Sequence, residues 1–269
     1  MELDIAHLGL VDDDALALDA SAVALAALDH AEVDLEPYLA VLDRHAERVA
    51  ELAPGGMPPE ALAGVLKRVL WQERGFTGDV FRYDDPDNAD LIRVIDRKRG
   101  LPVSLVILYV AAARRAGFQA DALNTPGHVL ARIGSGAESV VIDPFNEGRI
   151  VRPSDLGMLI AQVLGPSAVP SAEHLAPMAN RAVLVRLLMN QAGRAEAAGN
   201  IVRALALYDR MSVVAPSYSH LWWERARLQL LNLDVAGARA SLSALLETTR
   251  DPALRTHVSA ALDALARRI

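Results

Sequence analysis

Residues 125–145 read TPGHVLARIGSGAESVVIDPF. Pro126-Gly127 is a turn pair, HVLARI and SVVID are rich in aliphatic and β-branched side chains, and Gly134-Ser135-Gly136 separates them. Pro144 stops the second run. The pattern predicts a β-hairpin. If its strands pair across the 134–138 turn, opposing positions sum to about 271 or 272, which sets His128 opposite Asp143 or one residue off. In the first register the two side chains share a face, and a carboxylate there orients an imidazole for proton transfer. The plainer reading of such a pair is a hydrogen bond that holds two strands together.

Working outward, FQADALNT precedes the hairpin and predicts a third strand. Before it comes VSLVILYVAAA, residues 103–113, an 11-residue apolar run. A membrane span needs roughly 20 such residues, so this one predicts a buried core helix. Gly100-Leu101-Pro102 opens it, with Pro102 suited to a first helical turn, and Gly117 closes it. The first 72 residues read as helical. One helix covers residues 12–30, a second covers 35–52 with Leu39, Leu42, Ala46 and Val49 at helical spacing, and Pro58-Pro59 opens a third that runs through Leu70. YDDPDNAD, residues 83–90, reads as a solvated loop that caps the next helix through Asp87 or Asn88. It is no calcium loop, since the sixth place lacks glycine and Ile95 stands where the twelfth-position Glu belongs. Arg97, Lys98 and Arg99 read as a solvated helix end.

From about Met178 the chain is helical again and carries an internal repeat. Ala192, Ala204 and Tyr208 recur 34 residues later as Ala226, Ala238 and Leu242. Small residues on facing helices followed by a bulkier one suit a tetratricopeptide repeat, whose paired helices pack closely at those points. Pro216 falls where such a repeat ends and Trp222 where it often has an aromatic, although Gln229 and Arg225 depart from the usual pattern.

The chain has 269 residues, 52% of them hydrophobic and 23% charged, which is enough for a large core. A net charge of −7 argues against nucleic-acid binding, which needs a basic surface to displace counterions from phosphate. There is no cysteine, so disulfides, thiolate metal sites and cysteine nucleophiles are excluded. The seven histidines show no metal-ligand spacing and no phosphate-cradling Gly-x-x-x-x-Gly-Lys occurs. No metal, no cofactor and no membrane partner is expected, and the protein is read as cytoplasmic.

The run GFTGDVFRYDDPDNADLIRVIDRKRGLPVSLVILYVAAARRAGF, followed by TPGHVLARI and VIDPFNEGRIV, resembles transglutaminase-like proteins that carry tetratricopeptide repeats, the bacterial family named after a SirB-type invasion regulator. RGLPVSL, PGH and IDPF, in that order and at these intervals, carry the resemblance, which covers roughly residues 30–250. It implies a cysteine at the start of a buried helix, a histidine on the next strand and an aspartate on the strand after. His128 and Asp143 match the second and third. The cysteine position falls on Pro102, or on Ser104 after a slip of two residues. Pro102 has no nucleophile. Ser104 has a hydroxyl near a helix amino terminus, and its plainer role is a cap or a bond to backbone.

The expected fold is α+β: a helix-rich, transglutaminase-like core with a small antiparallel sheet over residues 1–175, then an all-α repeat tail over 176–269. The expected function is non-catalytic, with the tail binding a protein or peptide partner and Tyr218, Trp222 and Trp223 as candidate anchors. The rival is a hydrolase or acyl transferase using Ser104, His128 and Asp143.

Overall fold

The computed structural model describes residues 5–169 and 171–267. Its contacts form two units: residues 13–183, and the described residues up to Asp12 together with those from Leu184 onward. The division falls beyond residue 175 because residues 176–178 extend the sheet of the first unit. Asn124 N–H donates to the Ala176 carbonyl at 3.2 Å and Met178 N–H to the Ala122 carbonyl at 2.8 Å. Just after, the backbone N–H groups of Asn180 and Arg181 donate to the Asp13 carboxylate at 2.7 and 2.8 Å.

A short helix, α1 (Ala6–Leu10), groups with the tail. The region read as one helix over 12–30 is instead a 3-10 turn at Asp13–Ala15 followed by α2 (Leu18–Ala27). This alanine-rich helix is buried nearly all round, and its one acid, Asp19, meets the Arg115 guanidinium at 3.0 Å. Next come α3 (Glu36–Leu52) and α4 (Pro59–Leu66), the latter continuing as a wider π-helical segment, Lys67–Glu73. A two-residue parallel pair follows, β1 (Thr77–Gly78) with β2 (Arg99–Gly100), which the sequence did not suggest. Between these strands lies α5 (Leu91–Arg97).

The acidic loop before α5 differs from its sequence reading. The caps are Asp85, which accepts from Asp87 N–H, and Asp90, which accepts from Arg93 N–H, rather than Asp87 or Asn88. Nor is Arg97 a solvated helix end. Its guanidinium reaches Asp79 at 3.1 Å and Asp85 and Asp87 at 3.3 Å, because three carboxylates gathered in one loop need a shared counter-charge.

The organising element is α6 (Pro102–Arg115), buried over residues 102–113. It packs against α3 and against a four-stranded antiparallel sheet ordered β3 (Ala120–Thr125), β4 (His128–Ile133), β5 (Val140–Asp143), β6 (Arg149–Ile150). Leu123 and Leu130, paired across β3 and β4, form a second cluster with Leu156 and Ile160 of α7 (Pro153–Leu164).

The tail is helical throughout its elements: α8 (Asn180–Ala197), α9 (Ile201–Val214), α10 (Ser219–Leu231), α11 (Val235–Thr248) and α12 (Pro252–Ala266). The 34-residue spacing reappears in the backbone. Asn200 caps α9 and Asp234 caps α11, and the residue before each, Gly199 or Leu233, has a left-handed φ of 72° or 60°. The six residues of the sequence repeat are all buried. Among the described residues no helix is long and apolar enough to cross a membrane.

Candidate functional site

The β3–β4 connection is Pro126-Gly127, and Gly127 has φ +68° with a Cβ-sized atom 2.4 Å from Val163. Only glycine fits a position that is both left-handed and this close to a neighbour. The turn delivers His128 at the first residue of β4. Pairs between β4 and β5 run Ala131↔Ile142, Arg132↔Val141 and Ile133↔Val140, so opposing positions sum to 273, not 271 or 272. Continued by count, this register makes His128 and Asp143 diagonal neighbours rather than direct opposites, still within reach of each other.

They meet. His128 Nε2 lies 2.9 Å from Asp143 Oδ1. Asp143 is fully buried and also accepts from Phe145 N–H at 3.1 Å, Asn146 N–H at 3.3 Å and Asn146 Nδ2 at 2.7 Å. The carboxylate therefore ends β5, caps the 3-10 turn Pro144–Asn146 and holds the imidazole. Burial pushes its pKa up, but the hydrogen bond and charge of His128 and the bonds from Asn146 outweigh that and hold it below the usual carboxylate value. An ionised Asp143 assigns the ring proton to Nε2, leaving Nδ1 as the basic nitrogen, on a side chain 13% exposed.

Phe145 sits at the centre of the surrounding wall. Its ring packs edge-on to His128 with centroids 5.8 Å apart and edge-on to Tyr83 at 5.7 Å. A Cβ added to Gly78 would lie 2.6 Å from the same ring, so β1 approaches Phe145 where only glycine permits it. Tyr109 of α6 lies behind. Its buried hydroxyl has no hydrogen-bond partner among the described residues, and burial together with the charges of Asp143 and Glu147 pushes the phenol up.

Ser104 is placed otherwise than a nucleophile requires. It has no solvent exposure, and its Oγ donates to the Asn88 carbonyl at 2.7 Å. A serine activated for attack gives that proton to its base. Here the proton is committed to backbone sixteen residues away, and of the three expected residues His128 and Asp143 are the two that the structure joins. Pro102 is the first residue of α6 and brings no reactive atom.

The tail aromatics are placed unequally. Trp222 Nε1 donates to the Pro216 carbonyl at 2.8 Å and its ring lies under the Arg225 guanidinium. Tyr218 sits beside the His220 ring. Trp223 packs near His257 and lines a cavity of about 470 Å³ formed by α10, α11 and α12, with Leu230, Leu231 and Leu265. Sequence reasoning missed Phe145, Asn146, Tyr109 and this cavity. The Asp-Pro-Phe-Asn run held the signal for the first two, since an Asp before a proline-led turn is a cap. No group of three or more His, Asp or Glu positioned for a metal occurs among the described residues.

Residues 36–189 match the transglutaminase-like superfamily. A UPF0162 protein of Xylella fastidiosa (strain 9a5c) is 30% identical over 244 residues, covering 89% of this chain and 86% of that protein. A UPF0162 protein of Vibrio cholerae is 33% identical over 122 residues, 45% of each chain. The F-box only protein 21 of Mus musculus is 30% identical over 105 residues, 36% of this chain and 17% of that one. With more than half of its length matched, and His128 and Asp143 joined where no cysteine accompanies them, the chain belongs to the transglutaminase-like superfamily.

Proposed function

We propose that this chain is a non-catalytic transglutaminase-like protein that works as an adaptor, binding a protein or peptide through a tail of tetratricopeptide type. The observation that carries this reading is Ser104: the one hydroxyl at the helix start is buried and bonded to the Asn88 carbonyl. In a chain without cysteine, His128 then has no attacking atom to serve. The tail supports the binding half of the reading. Its cavity is walled by apolar side chains, with Leu231 60% exposed at the rim and Trp223 among the walls, the residue types that anchor peptide helices in grooves. The buried 34-residue repeat and its matched caps support the tetratricopeptide assignment. The rival hydrolase keeps the histidine–aspartate half of a triad and lacks the other.

The test sets His128→Ala against Leu231→Glu in the full chain. A partner retained by the wild-type protein stays with His128→Ala and is lost with Leu231→Glu. Saturable ester or amide hydrolysis that disappears in His128→Ala would overturn the proposal.

A further inference from the structure

The chain has only four phenylalanines, and one of them, Phe81, is 95% exposed, beside Val80 at 64%. Both sit on the loop after β1, and the loop is not slack. Asp79, at its base, is buried and accepts from Arg82 N–H at 2.9 Å and from Arg97 at 3.1 Å. Asn88 Nδ2 donates to the Arg82 carbonyl at 2.6 Å, and Arg97 ties Asp85 and Asp87 to the same centre. Ionic bonds buried at the base thus hold an aromatic side chain out in water. Holding it there forgoes the free energy of burying a large apolar surface, and preordering it lowers the entropy lost on docking.

Beside Phe81 lies a cavity of about 400 Å³, bounded by Phe145, Arg99, Glu147 and Arg149. Elsewhere in this unit Arg48, Arg97, Arg114, Arg115 and Arg132 are paired with carboxylates, whereas Arg44, Arg74, Arg93 and Arg152 lie outside the lining of this cavity and meet none among the described residues. Arg99 instead donates only to the Gly75 and Lys98 carbonyls, and neither it nor Arg149 meets a carboxylate among the described residues. On a chain of net charge −7, two guanidinium groups against the single carboxylate of Glu147 leave this cavity wall positive beside a presented aromatic.

We propose that this face of the core, the Val80-Phe81 loop with Arg99 and Arg149, docks an acidic segment of a protein partner. The partner's apolar side chain covers Phe81 and its carboxylates pair with the two guanidinium groups. A projecting ring beside a shallow cleft favours a macromolecular surface over a small molecule, which would need to be enclosed. The site is separate from the tail cavity and does not depend on that cavity's role.

The test is a random peptide display library selected against the full-length chain, followed by affinity measurement with the selected peptides made synthetically. The proposal expects selected peptides that combine acidic with aromatic or aliphatic residues. Their affinity falls at least tenfold in Phe81→Ala and in Arg149→Gln, weakens with added salt, and is unchanged in Leu231→Glu. Phe81 is exposed, so its replacement leaves the fold intact. Peptides without acidic bias, or binding that survives both core variants, would overturn the proposal. So would the recovery of no binder, or a change of Phe81→Ala from dimer to monomer, which would make the occupant a second copy.

Discussion

Asp143 is itself fully buried and accepts four hydrogen bonds, and its loss would leave the buried Phe145 N–H stranded and three partly buried donors without their partner. Asp143→Ala is expected to destabilise the protein by about 2–4 kcal/mol, read from urea denaturation. Ser104→Ala is milder. The Asn88 carbonyl keeps its second donor, Leu101 N–H at 3.0 Å, so the expected cost is about 1 kcal/mol. His45 supplies a pH dependence of known sign. Burial, then the charges of Arg74, Lys98 and Arg44, lower it to about 4. The unfolded histidine, at about 6.5, binds a proton that the folded one refuses, so its contribution is complete above that value and is lost as pH falls towards 4. Stability should drop by about 2 kcal/mol between pH 7 and 5, and His45→Leu should flatten that slope. At this scale the sequence was only partly legible. The His128–Asp143 pairing could be read from strand spacing, yet the register was off because the turn holds more residues than the count allowed. Ser104's true partner is sixteen residues away on another loop, a relation no local pattern encodes.

Elements were more legible, because periodicity and turn chemistry act locally. Strand β4 and helix α3 fall within a residue of expectation, and Pro102 does open α6. The failures have tertiary causes. Arg97 looked like a solvated end because the carboxylates that bury it come from three positions in a loop folded back over it. The parallel pair β1–β2 is two residues long, too short for any alternation to show. In the tail, Leu233 occupies the left-handed position that Gly199 fills one repeat earlier, with its side chain exposed. A Cβ costs roughly 1 kcal/mol there. Leu233→Gly should therefore raise stability by about 0.5–1 kcal/mol, measured as a shift in the urea midpoint. Gly199→Leu should lower it by a similar amount.

At the scale of the whole molecule, composition excluded cysteine chemistry before any contact was known, and the fold ties the Ser104 hydroxyl to the Asn88 carbonyl. The family resemblance was legible from RGLPVSL, PGH and IDPF because these short runs build α6, the β3–β4 turn and the Asp143 cap. The surfaces proposed for binding were not legible. Exposed apolar residues such as Phe81 and Leu231 look like core in a sequence, and only the fold shows them facing water.

On the proposed reading, His128 has no nucleophile to activate. The most direct measurement treats the full chain with a fluorophosphonate that labels activated serines, then reads the intact mass and the modified residue. No His128-dependent adduct is expected, and wild type and His128→Ala should be indistinguishable. A stoichiometric adduct on Ser104 that vanishes in His128→Ala would contradict that reading.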